Sequence, residues 1–197
     1  VQRRFQIEEF QRFLRLVDVE LPKPCTVVVV GESALALGDC PDHAIADIEV
    51  WSASDRVIWT AAERASEKIA RPIHLRQVLG GGPRGMPFEA RLQPSRMEGL
   101  RLLTVHIPEA HDLALLNSTR AVAPAAAAAE LHRNHPLSLR TLLQRYDEMK
   151  SDESVSEERA RAGLLELIAK LFGNAKAREI ERRMRPRSSR RPSTSAS

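Results

Sequence analysis

The chain has 197 residues, 43% of them hydrophobic and 28% charged, which suits one well-buried domain with an appended helical part and falls short of two full-sized domains. No apolar run approaches the ~18 residues of a membrane span. Residues Val1 to Val17 mix charged and apolar side chains at helical spacing where a signal peptide would carry an unbroken apolar core, so the expectation is a cytoplasmic protein with no membrane partner.

The formal charge of +4 belongs to one end of the chain. Arg182, Arg183, Arg185, Arg187, Arg190 and Arg191 fall in a segment without an acid, which leaves 24 basic against 26 acidic residues over 1–181. An argument for nucleic acid from overall charge therefore applies to the tail and not to the folded body. Cys25 and Cys40 offer neither a disulfide framework nor a four-ligand zinc pattern.

In chain order, Ile7, Phe10, Phe13, Leu14 and Val17 recur on one face of an amphipathic helix that ends before Pro22. Thr26 to Val30 is a short β-branched run bounded by Pro24 and Gly31, apolar on both faces, and reads as a central buried strand. Ser33 to Leu37 forms a turn or short helix. Ala46 to Trp51 alternates, with Asp47 and Glu49 on one side and Ile48 and Val50 on the other, the period of a strand. Ser54 is placed to cap a helix from Asp55 to about Ile69. Strands are expected at Ile73 to Leu79, Phe88 to Leu92 and Leu100 to Ile107.

From Pro108 the pattern turns helical: Pro108 to Asn117, Pro124 to His132, Leu137 to Met149, Val155 to Phe172 and Ala175 to Met184. Ser154 with Glu157 reads as a capping box and Gly173 as a C-terminal stop. The Arg/Ser/Pro composition from 185 onward predicts a disordered basic tail.

The chemistry concentrates where the buried strand runs into Gly31, followed by a small-residue turn and a strand bearing two carboxylates at i and i+2. Side chains two apart on a strand share a face, so Asp47 and Glu49 can converge on divalent cations ~3.5 to 4 Å apart. A glycine at the strand end lets backbone N–H groups approach phosphate without a Cβ in the way. Val28-Val29-Val30-Gly31-Glu32-Ser33-Ala34-Leu35-Ala36-Leu37 followed by Ala46-Asp47-Ile48-Glu49-Val50 resembles the signature of bacterial nucleotidyltransferase-like proteins, including the abortive-infection type toxins. Phe88 to Leu92, Leu100 to Val105 and Pro108 to Leu116 resemble one branch of that superfamily, so the likeness covers roughly residues 5–150.

The resemblance implies an α+β fold, a nucleotidyltransferase-like mixed sheet flanked by helices over 1–120, with a helical C-terminal part over 121–184 and the tail over 185–197. It implies Mg²⁺- or Mn²⁺-dependent transfer of a nucleotidyl group from an NTP to RNA, such as tRNA, or to a protein substrate, in a setting that includes a toxin paired with an antitoxin. Asp47 and Glu49 would hold the metal, with Glu89 the best third carboxylate. Gly31 and Ser33 would line the phosphates, and Arg91 or Arg120 would neutralise them.

Departures from the pattern support a second reading. Glu32 stands where a second small residue is expected, and repulsion of a phosphate at ~4 Å costs ~1 to ~4 kcal/mol depending on exposure. Asn117 stands where a phosphate-contacting lysine is expected, and expected acids fall in the Ala125 to Ala129 tract. The alternative is a catalytically degenerate domain that binds protein or nucleic acid through its C-terminal helices and arginines.

Other features carry less. Gly80 to Gly85 lacks the Lys-Ser/Thr ending of a phosphate loop. His132 and His135 read as surface histidines. With aromatics at only 4%, Trp51, Trp59 and Phe88 read as core residues and not as stacking platforms.

Overall fold

A computed structural model of the chain describes residues 5–38, 40, 46–78, 88–119, 125–149 and 157–184. Within them lie eight α-helices and one five-stranded mixed sheet, an α+β arrangement. Helix α1 (Ile7–Glu20) and strand β1 (Cys25–Val30) follow the sequence pattern closely, and α2 (Gly31–Leu37) starts at the residue after β1 ends. Strand β2 (Ile48–Ala53) leads into α3 (Val57–Glu67), then β3 (Leu75–Gln77), β4 (Gln93–Pro94) and β5 (Leu103–Ile107). Helices α4 (Ala110–Thr119), α5 (Ala125–Asn134), α6 (Leu139–Met149), α7 (Glu157–Phe172) and α8 (Asn174–Met184) complete the described chain.

The sheet order is β3-β2-β1-β5-β4, so β1 is central, as its apolar run requires. It pairs antiparallel with β2 and parallel with β5, while β3 runs parallel to β2 and β4 antiparallel to β5. Alternation then sorts the strands by face. Cys25, Val27 and Val29 join Ile48, Val50, Leu103, Val105 and Ile107 in a core that Phe10, Phe13 and Val17 of α1 and Ile58 and Ala65 of α3 close over. That cluster continues through Leu113 of α4, Leu142 of α6 and Leu164 of α7, so sheet and C-terminal helices share one apolar interior. On the opposite face Val28 and Val30 meet Phe88 and Leu116, with Trp51, Val78 and Leu92 packed alongside.

Asp18 ties α1 to the sheet. It is 4% exposed at the C-terminal end of the buried face of α1, and its carboxylate accepts backbone N–H bonds from Arg101 at 3.0 Å, Leu102 at 2.7 Å and Leu103 at 2.7 Å. Burial alone would push its carboxyl up, but the N–H groups of Leu103, Leu102 and Arg101 and the Arg101 charge outweigh it and hold the group below its usual range.

Two local expectations are corrected. Phe88 to Leu92 is not a strand but a turn leading into a 3₁₀ segment, Glu89–Arg91, because Phe88 is drawn into the second apolar cluster and Arg91 into an ion-pair network. Ser54 does not cap α3: its Oγ accepts the N–H of Thr26 at 2.8 Å, and Asp55 instead accepts the N–H of Val57 at 3.0 Å. Gly173 does end α7, at φ +90° with its N–H on Ala169. Ser154, Gly80 to Gly85 and the 185–197 segment lie outside the described residues. Among the described residues no helix is long and apolar enough to cross a membrane.

Candidate functional site

The end of β1 is built around Gly31 and Ser33. Gly31 opens α2 at φ +70°, a conformation that side chains with a Cβ adopt only under strain, and a Cβ there would overlap the Glu49 carboxylate. Ser33 is fully buried; its Oγ donates to the Val30 carbonyl at 2.9 Å and accepts the Glu49 N–H at 3.1 Å. Its hydroxyl therefore fastens the α2 turn to β2, which accounts for a serine here in terms of backbone satisfaction.

Glu49 lies opposite Val30 on β1 and opposite Arg76 on β3. Its carboxylate pairs with the Arg76 guanidinium and rests against Gly31. Asp47 is half-buried in the bend just before β2 and not within the strand, so the two carboxylates share a neighbourhood without being two rungs of one ladder. Glu32, in the first turn of α2, is half-buried beside them in sequence.

The remaining sequence-selected residues go elsewhere. Glu89 is exposed on the 3₁₀ segment and lines a cavity with Thr26, Ser52 and His106, a lining that includes neither Asp47 nor Glu49. Arg91 grips Asp112 through Nε at 2.7 Å and Nη2 at 3.0 Å and reaches Glu148 at 3.0 Å. The Asp112 hydrogen bonds hold its guanidinium charged against the opposing effect of burial. Arg120 lies outside the described residues. Asn117 is buried on α4, and its Oδ1 has no hydrogen-bond partner among the described residues.

The fit of a divalent-metal pair follows from these positions. Among the described residues no group of three Asp, Glu, His or Cys side chains is placed to hold a metal ion. Of the three carboxylates selected from sequence, Glu49 is engaged by Arg76 and Glu89 belongs to a different cavity. As arranged, these residues do not fit a two-cation site, which needs several carboxylate oxygens converging on one point.

Sequence reasoning missed Arg76, Asp112, Arg145 and Glu148. Arg145 stands 3.8 Å from Asp112 and 3.3 Å from Glu148, completing a four-residue network that joins the 3₁₀ segment to α4 and α6. A signal existed for Asp112: an acid opening the apolar run Leu113 to Leu116 is drawn toward the core, where it needs a cation or several N–H groups to meet it. Nothing comparable marked Arg76, whose role depends on β3 pairing in register with β2. His132, expected at the surface, accepts the Leu137 N–H at 2.9 Å and meets Phe172 edge-on, a structural role.

No family model matches the chain, and neither a curated protein nor a solved structure matches it at a significant level.

Proposed function

We propose that this chain is a nucleotidyltransferase-fold protein whose nucleotide site has given way to an ion pair between Glu49 and the exposed Arg76, and that it works as a nucleic-acid-binding module. The fold reading is supported by the succession β1, Gly31, α2 and a carboxylate-bearing β2 on a mixed sheet. The observation that carries the loss of transfer is the Glu49 carboxylate, which lies against Gly31 and pairs with Arg76. The carboxylate is an anion on the glycine that a triphosphate would have to approach, and a guanidinium of the same chain already serves as its counter-ion.

Nucleic acid is favoured over a protein partner by the charge at the chain's end. Arg178, Arg182 and Arg183 are exposed on α8, and Arg185, Arg187, Arg190 and Arg191 continue the series with no acid among them. Such a run neutralises phosphates and needs no shaped partner surface. The test is fluorescence anisotropy of the full chain with a labelled single-stranded RNA and a tRNA across a salt series. Changing Arg182, Arg183, Arg185, Arg187, Arg190 and Arg191 to Gln should abolish most binding and flatten the salt slope by up to about 4. Unchanged affinity in that variant would contradict the assignment.

A second reading, Mg²⁺-dependent nucleotidyl transfer by Asp47 and Glu49, is favoured by the glycine-only backbone of the Gly31 turn and by Ser33 locking that turn. It requires Glu49 to exchange Arg76 for a cation.

A further inference from the structure

The face of the sheet away from α1 and α3 carries a cavity of about 370 Å³ between strand and 3₁₀ segment, within the size range of small-molecule sites. Its floor is set by register. Ser52 lies opposite Val28 on one side and His106 opposite Val28 on the other, so the three side chains form one row across β2, β1 and β5. Phe88 and Leu92 form a wall, and Glu89 and Thr26 add polar atoms at the edge.

An irregularity in β2 shapes this cavity. The β1–β2 register jumps from Val28 opposite Ser52 to Val29 opposite Val50, which leaves Trp51 with no residue facing it on β1. One extra residue in a strand re-aims the side chains around it. Here it brings two consecutive residues, Trp51 and Ser52, to the same cavity, whereas regular alternation would send one of them into the core. Trp51 stays half-buried, and the cavity thus combines a large ring with a hydroxyl, an imidazole and a carboxylate.

We propose that this cavity is a nucleobase site, taking the planar base of a nucleoside or of a single-stranded RNA. A base needs an aromatic or apolar surface for its face and acceptors and donors for its edge. The half-buried Trp51 and Leu92, backed by the buried Phe88, supply the first; Ser52, Thr26, His106 and Glu89 supply the second. The lining does not include Gly31, Ser33, Asp47 or Glu49, so recognition requires neither phosphate nor metal. The inference stands on the cavity and the register jump and does not depend on whether transfer chemistry has been lost.

The experiment uses the full chain carrying Trp59→Phe, so that Trp51 is the only indole, and follows its emission on titration with adenosine, guanosine, cytidine and uridine in EDTA, and with a tetranucleotide RNA. At least one nucleoside should quench Trp51 saturably, and Ser52→Leu or His106→Ala should each weaken that binding about tenfold or more. Equal affinity for nucleoside and tetranucleotide identifies a free-nucleoside site; markedly tighter tetranucleotide binding identifies an RNA strand as the source. Absence of quenching by all five probes up to roughly 5 mM overturns the proposal, as does quenching that persists undiminished in a folded Ser52→Leu or His106→Ala protein. Because the probes carry no triphosphate and no metal is present, failure here is distinct from failure at the Gly31 turn.

Discussion

Glu49 and Arg76 face each other across the parallel β2–β3 pair, and their side chains close into an ion pair beside Gly31. Strand register produces this contact, since residues directly opposite in a ladder are close enough to interact through side chains of this length. The pair turns the carboxylate that sequence assigns to a cation toward a guanidinium of the same chain.

Gly31→Ala combines two penalties, the positive φ and the overlap with the Glu49 carboxylate. The backbone part costs about 1–2 kcal/mol, and the overlap adds to it. Glu49→Ala introduced with Gly31→Ala should recover only the overlap, so the two substitutions should be non-additive in denaturant melts. Strict additivity would mean that the carboxylate does not rest against the glycine.

Asp18→Asn should cost about 2 kcal/mol near pH 7, because a charged acceptor of several backbone N–H groups becomes a neutral amide. The sign of its pH dependence follows from a folded-state pKa held below the ordinary value. The contribution is fully present above the unfolded pKa of about 3.9 and is lost as pH falls through the lower folded value. Melting curves of wild type and variant should therefore begin to approach each other below about pH 4 and meet only below the folded value. A gap that stays constant to pH 2 would contradict the assignment.

Arg91→Ala and Asp112→Asn should each destabilise by about 1.5–3 kcal/mol, since each removes the bidentate partner of a buried charge and leaves it one other contact, Arg145 at 3.8 Å for Asp112 and Glu148 at 3.0 Å for Arg91. Asp112 is 1% and Arg91 15% exposed at the side chain. The double substitution should cost clearly less than the sum, as read in a thermodynamic cycle of urea midpoints. Small single effects would place Arg91 outside the framework and return it to the list of phosphate ligands.

Cys40 should resist thiol reagents in the native protein. Its thiol is pushed up to about 11, by burial first and by the Glu130 charge second, and the reactive form is the thiolate. A chromogenic disulfide at pH 8 should label it only on unfolding. Rapid native labelling of Cys40, identified by mass spectrometry, would contradict this.

Much of the scaffold was legible because its signals are local and periodic. The apolar stripe from Phe10 to Val17 and the β-branched run Val27 to Val30 could hardly pack in other ways, and both occupy the core as read. Gly31 was read as an opening for phosphate, whereas the structure gives it a positive φ with the Glu49 carboxylate resting against it. The misread parts are those that tertiary contacts decide. Phe88, Ala90 and Leu92 alternate like a strand, yet the Arg91–Asp112 pair and Phe88 burial draw the segment into a turn. Arg91 looked like a phosphate ligand and is held within the framework. The aromatic cavity was missed because a one-residue irregularity in β2 cannot be seen in a pattern of period two.

The most direct test of the central claim is the melting temperature of wild type and Asp47→Ala with Mg²⁺ or Mn²⁺ and each of the four NTPs. A ligand at ~100 times its dissociation constant adds ~2.7 kcal/mol, a shift of several degrees in a chain of this size. No metal-dependent NTP shift is expected in wild type or in Asp47→Ala. A metal-dependent shift that disappears in Asp47→Ala would overturn this reading and establish Asp47 as part of a working nucleotide site.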